Sequence, residues 1–169
     1  MKATFAVILI LSLLLPGCTD QEELRTAEFY YPRSTYTQDS MDSVIAPEER
    51  NRENLATITL LLDQYLQGPL DPKLVNPFPE GTAVVEVYVM GNVTLLTLTD
   101  SLAQLEGLDL LLACASISRT VTGITGTPMV QISCKTAKLD GKPKILIASD
   151  TIQYLDTVPT EPEEQLTEE

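Results

Sequence analysis

The chain predicts an α+β fold in which a mainly antiparallel sheet is covered by two helices. Three observations carry that prediction. Apolar residues recur at three- and four-residue steps in two stretches, as they do along a helix face: Leu55, Ile58, Leu61, Leu62, Tyr65 and Leu66 in the first, Leu108, Leu111, Leu112 and Ala115 in the second. Between them, Val84 to Met90 and Val93 to Thr99 are β-branched and apolar, split by Gly91-Asn92, a pair suited to a two-residue primed turn. After the second stretch, Val130, Ile132 and Cys134 alternate with Gln131, Ser133 and Lys135, the period of a half-buried strand.

In chain order, Ala27 to Tyr31 is aromatic and strand-like. A loop rich in Ser, Thr and Asp follows to about Asp42, then a second extended piece from Ser43 to Pro47, and the two suit a hairpin with a long loop. The first helix is expected over Asn51 to Gln67, capped by Asn51 or Asn54 and stopped by Gly68-Pro69, a permissive residue followed by one that cannot continue the ladder. Turn formers, Asp71-Pro72 and Asn76-Pro77-Phe78-Pro79-Glu80-Gly81, lead into the Val-rich hairpin. The second helix should end near Thr122 with Gly123 as its cap, and Asp140-Gly141 offers a turn into a last strand at Ile145-Leu146-Ile147. From Asp150 onward there are seven acidic residues and no basic one, and with Pro159 and Pro162 among them the end of the chain should be a solvated tail.

The N-terminus has its own signature. Lys2 is followed by an apolar run from Ala3 to Leu15, long enough for an export signal and shorter than the ~20 residues that span a bilayer. Leu15-Pro16-Gly17-Cys18 then resembles a lipobox, in which the thiol of Cys18 takes a diacylglycerol before cleavage. The expected layout is a lipoprotein signal peptide over 1–17, a polar tether over 18–26, one folded domain over 27–157 and an acidic disordered tail over 158–169. Two or three acyl chains, palmitate among them, would hold such a chain stably at the extracytoplasmic face of the cell membrane.

Charge excludes some partners. Without Lys2, ten basic residues face 24 acidic ones, a net charge of −14, so a nucleic acid would be repelled and is not expected as a partner. An anionic membrane surface would be repelled as well, which leaves attachment to the lipid. Hydrophobic content of 44% supports a folded body, and with three Phe and no Trp its core must be filled by Leu, Val and Ile. Cys114 and Cys134 fall in a helix-like and a strand-like stretch, most simply as buried small hydrophobes; a disulfide between them stays open, because pairing depends on Cα atoms about 4.4–6.8 Å apart.

Taken in order and spacing, a helix followed by Gly68-Pro69, then Pro79-Glu80-Gly81-Thr82, the hairpin, a helix ending Arg119-Thr120-Val121-Thr122, the strand with Val130 and Ile132, and Leu139-Asp140-Gly141 resemble the GerMN domain. This is a family of small exported domains associated with sporulation and spore germination, commonly carried on lipoproteins. The likeness runs from about Phe29 to Ile147, with Glu48-Glu49-Arg50 matching the family's charged approach to the first helix. The chain departs where it has Leu96-Thr97-Leu98-Thr99 in place of Val-Asp-Leu-Ser, Arg119 in place of a small polar residue and Val121 in place of Leu. The resemblance implies a ring-building-motif domain with an added β-hairpin. It also implies a role in protein assembly, with envelope or sporulation proteins as partners.

Gly68, Pro69, Pro79, Gly81, Thr82 and Thr122 are expected as structural residues of that motif, since Gly and Pro chiefly solve backbone problems. Gly123-Ile124-Thr125-Gly126-Thr127 follows a helix and precedes a strand, the reverse of a phosphate loop, and lacks its Lys. Asp100, Glu106 and Asp109 read as residues that favour a helix start through its dipole, and Asp39 and Asp42 lack the spacing of a calcium loop. The chain has no His for general-base work or zinc binding, no Ser in a nucleophile-elbow context and no cofactor fingerprint. The expected function is therefore a membrane-anchored, non-enzymatic assembly domain that needs no cofactor or metal. Two alternatives stay open: a lipoprotein that senses germinants or cell-wall fragments, and a glycan hydrolase working through two carboxylates.

Overall fold

Leu96, Leu98, Val130, Ile132, Ile145 and Ile147 are buried on one face of a five-stranded sheet, and they are the inward half of the alternation read above. The computed structural model describes residues 26–35, 44–52, 56–148 and 151–155. Strands β1 (Thr26–Pro32) and β2 (Ile45–Asn51) form an antiparallel pair. The larger sheet runs in the order β3 (Val84–Met90), β4 (Val93–Leu98), β5 (Met129–Cys134), β6 (Lys144–Ala148) and β7 (Thr151–Leu155). All its neighbours are antiparallel except β4 and β5, whose parallel pairing requires a crossover. Helix α2 (Gly107–Thr125) is that crossover, entered through a 3-10 turn at Asp100–Gln104, while α1 (Ile58–Leu66) precedes β3. The architecture is the α+β one that the sequence predicts, a mostly antiparallel sheet with both helices on one face.

Boundaries differ in instructive ways. Helix α1 starts at Ile58 rather than Asn51, capped by Thr57, whose Oγ1 accepts from the N–H of Leu60 at 3.2 Å. Asn51 is instead the last residue of β2, paired with Thr26, so Glu48, Glu49 and Arg50 belong to a strand. Helix α2 runs past Gly123 to Thr125 and ends at Gly126, whose φ of 74° is the left-handed conformation a helix cap uses and whose N–H bonds Thr122 O at 2.8 Å. β7 follows the expected last strand, pairing Thr151 to Leu155 with β6. Thr26, expected in the tether, opens β1. The signal peptide, Cys18, the rest of the tether, Asp39, Asp42, Asn54, Leu55 and the acidic tail lie outside the described residues.

The core centres on Tyr65. Its ring stacks on Tyr31 with centroids 4.8 Å apart and meets Phe29 and Phe78 edge-on at 5.6 and 5.4 Å. Both phenols find partners, as buried hydroxyls must: Tyr65 Oη donates to Tyr30 O at 2.9 Å, and Tyr31 Oη donates to Tyr65 O at 2.7 Å. β1 approaches α2 where the helix carries small residues, Ser116 and Thr120, four apart on one side. Thr120 Oγ1 there accepts the N–H of Tyr30 at 2.9 Å and donates to Ser116 O at 3.1 Å. Helix α2 is long and apolar enough to span a bilayer, yet Leu110, Ala113, Cys114, Ile117 and Val121 are buried in the core.

Candidate functional site: an apolar edge strand and the face beside it

An antiparallel sheet with one solvated face normally reads apolar inward and polar outward. β3 and β4 break that rule, because Val84-Val85-Glu86-Val87-Tyr88-Val89-Met90 has one polar or charged position in seven besides the tyrosine hydroxyl. In the register, Val87 pairs with Leu96 toward the core, while Tyr88 pairs with Leu95 and Met90 with Val93 on the opposite face. The outward row continues through Gln131 to Leu146, and the next through Met129 to Ala148. With strands about 4.8 Å apart, Tyr88 to Leu146 spans about 14 Å. Both helices lie on the other side, so Tyr88 is 53% exposed and Met90 65%.

β3 is also an end strand. Among the described strands it pairs only with β4, and the register shifts between Val84 and Glu86, where Val85 is 45% exposed. Val89, on the core side by register, is still half exposed because the strand overhangs the core there. Edge strands are usually blunted with Lys or Pro, and this one carries neither. Its only charge is Glu86, whose carboxylate accepts the Tyr88 hydroxyl. That bond raises the Tyr88 pKa, since ionising the phenol would break it beside a carboxylate. The strand thus presents a row of backbone N–H and C=O groups flanked by apolar side chains, the elements of strand addition.

The expected structural residues fall at two turns and, for Thr122, within helix α2. Gly68 has φ 97°, and a Cβ there would lie 3.1 Å from Asn76 Nδ2; Pro69 follows it. β2 holds this turn. Glu48 Oε2 accepts from the N–H groups of Leu70 and Asp71, both at 2.8 Å, and Arg50, paired with Glu48, donates to Gly68 O at 3.0 Å. At the second turn Pro79 O accepts from Thr82 N–H at 3.1 Å, while Gly81 (φ 82°) gives its carbonyl to Thr99 Oγ1 at 2.8 Å. Thr82 Oγ1 is buried with no partner among the described residues. Within α2, Thr122 Oγ1 donates to Arg119 O at 2.9 Å.

Among the described residues neither acids nor thiols gather into a cluster. Asp109 lies in the first turn of α2 and Glu106 at its N-cap, but Asp100 does other work than favouring that helix. It accepts from the N–H groups of Thr136 and Ala137 at 2.8 and 2.9 Å and from Thr136 Oγ1, and these bonds hold its carboxyl down at about 2. Cys114 and Cys134 are free thiols, pushed by burial to about 12 and about 11. Thr125 and Thr127 bond each other and Thr94 at a helix end. Among the described residues no three His, Cys, Asp or Glu side chains come together to hold a metal. One hollow of about 350 Å³ lies between Arg33, Val75, Leu105 and Leu112.

The sequence reading did not single out the outer face. Its signal was present in the near-continuous apolar run of β3, which an alternating strand with one wet face does not need.

The model of the Germane family, described as sporulation and spore germination, matches residues 28–143. A crystal structure at 2.5 Å of a candidate lipoprotein from Clostridium perfringens aligns with a TM-score of 0.46 and 16% identity, covering 79% of this chain and 94% of that one. No curated protein sequence matches the chain.

Proposed function

The chain belongs to the Germane family of sporulation and spore germination domains, and from that premise we propose that it is a lipid-anchored, non-enzymatic assembly domain of the cell envelope. In this reading the export signal and Cys18 place it at the extracytoplasmic face of the membrane, and β3 with the outer face beside it binds an envelope protein. One observation carries the reading: β3 and β4 are apolar on both faces and, among the described residues, the helices lie on one face while Tyr88 and Met90 on the other stay exposed. A partner strand added at β3 would supply the missing backbone bonds, with Val85, Tyr88, Val89 and Met90 giving the contact its specificity. A sensor would instead be supported by an enclosed pocket with converging polar groups.

The test uses the full chain with its anchor. Val85→Lys with Val89→Lys should abolish co-isolation of an envelope protein from crosslinked membranes while leaving thermal stability unchanged, whereas Leu108→Lys, at a residue 62% exposed on α2, should not. Retention of the partner by the β3 variant sinks the proposal. Cys18→Ala should release the protein from the membrane fraction or leave it as the uncleaved precursor. Mature protein that stays membrane-bound without Cys18 removes the lipid anchor from the account.

A further inference from the structure

The basic residues of the chain are unevenly placed. Between Thr26 and Leu155 the sequence holds nine Lys and Arg against fifteen Asp and Glu. Four of those nine, Lys135, Lys138, Lys142 and Lys144, fall within ten residues at the β5–β6 connection, where Asp140 is the one acid. Lys135 and Lys138 are exposed, and Lys144 opens β6 on the outer face. Asp100 is nearby: its Oδ1 accepts from the backbone N–H groups of Thr136 and Ala137, its Oδ2 from Thr136 Oγ1, and the charge of Lys135 also helps to hold its carboxyl down. The hairpin is therefore a basic patch on an otherwise acidic domain.

β7 decides where the chain goes next. It runs antiparallel to β6, with Leu155 paired to Lys144, so the backbone leaves the sheet at the end that carries the lysines. The Cα atoms of such a pair lie about 4.5–5.5 Å apart. Residues 156–169 then bring six acidic side chains, Asp156, Glu161, Glu163, Glu164, Glu168 and Glu169, and no basic one. Fourteen residues reach up to about 46 Å when extended, ample to cover a ten-residue hairpin.

We propose that the lysine hairpin 135–144 is the docking surface for the acidic segment 156–169 of the same chain. Each exposed pair is weak and screened by salt, but tethering one residue away from Lys144 keeps the acids at an effective concentration of millimolar order. The contact covers the basic patch and keeps it from anionic surfaces such as phospholipid headgroups. It lies three strands from β3 and leaves that edge free, so it goes beyond the assembly reading and stands or falls separately.

The experiment is zero-length carbodiimide crosslinking of the dilute full chain, mapped by mass spectrometry, with a mixture of isotope-labelled and unlabelled protein to tell links within a chain from links between chains. The expected result is intrachain linkage of Glu161 to Glu169 with Lys135, Lys138 or Lys144, absent at exposed Lys73. The linkage should disappear at 1 M salt, where the screening length falls to about 3 Å. Val85→Lys with Val89→Lys should leave it unchanged. Links to Lys73 as frequent as those to the hairpin, links between chains only, or no links at low salt would each overturn the proposal. Lys135→Gln with Lys138→Gln, at two exposed positions, should reduce tail linkage at Lys144 with no change in melting temperature; undiminished linkage there counts against a shared basic patch.

Discussion

Tyr31 and Tyr65 are bound to each other twice, by rings stacked 4.8 Å apart and by the hydroxyl of Tyr31 on the carbonyl of Tyr65. The pair ties β1 to the end of α1. Burial pushes the pKa values of Tyr31 and Tyr65 above their ordinary value, so both phenols stay protonated as donors.

Tyr65→Phe keeps the ring and removes the hydroxyl, leaving Tyr30 O without its donor. A loss of about 1–2 kcal/mol is expected. Tyr65→Ala also opens a cavity against Phe29 and Phe78 and should cost about 3–5 kcal/mol. Denaturant titration reads both, and equal losses would contradict the central place given to the ring.

Gly123 and Gly126 should respond in opposite directions. Gly123 is exposed inside α2 with open space around it, so Gly123→Ala ought to stabilise by about 0.5–1 kcal/mol. Gly126 has φ 74°, and Gly126→Ala ought to destabilise by about 1–3 kcal/mol through strain. Thermal melts showing the same sign for both would place the helix end at Gly123 after all.

Asp100 sets an acid dependence. Its carboxyl titrates at about 2 in the folded protein, below the usual carboxylate value of 3.8, so its contribution is full above about pH 4 and is lost as pH falls through 2. Asp100→Ala should lower the urea midpoint at pH 7 and flatten its fall between pH 4 and 2. An unchanged acid slope would mean that the 135–137 loop does not depend on this residue.

The legible parts of the fold were those fixed by local chemistry. Gly91-Asn92 turns the β3–β4 hairpin with Gly91 at φ 58°, and Asp140-Gly141 turns with both residues at positive φ, as a primed turn requires. The parts missed depend on distant pairing. Glu48-Glu49-Arg50-Asn51 has little strand propensity and is a strand because β1 lies beside it and Glu48 and Arg50 pin the 68–71 turn. Helix α2 continues through Gly123 because Ile124 still packs on the core. The site was hidden for a related reason: the run from Val84 to Met90 reads as a strand whichever face is covered, and only the position of both helices shows which apolar residues are left over.

The most direct measurement of the assembly reading is photo-crosslinking in cells forming spores, with a benzophenone amino acid in place of Tyr88 in one strain and Leu108 in another. The account predicts a discrete adduct with an envelope protein from position 88 and none from position 108. An adduct from 108 with none from 88 would move the binding surface off β3 and contradict it.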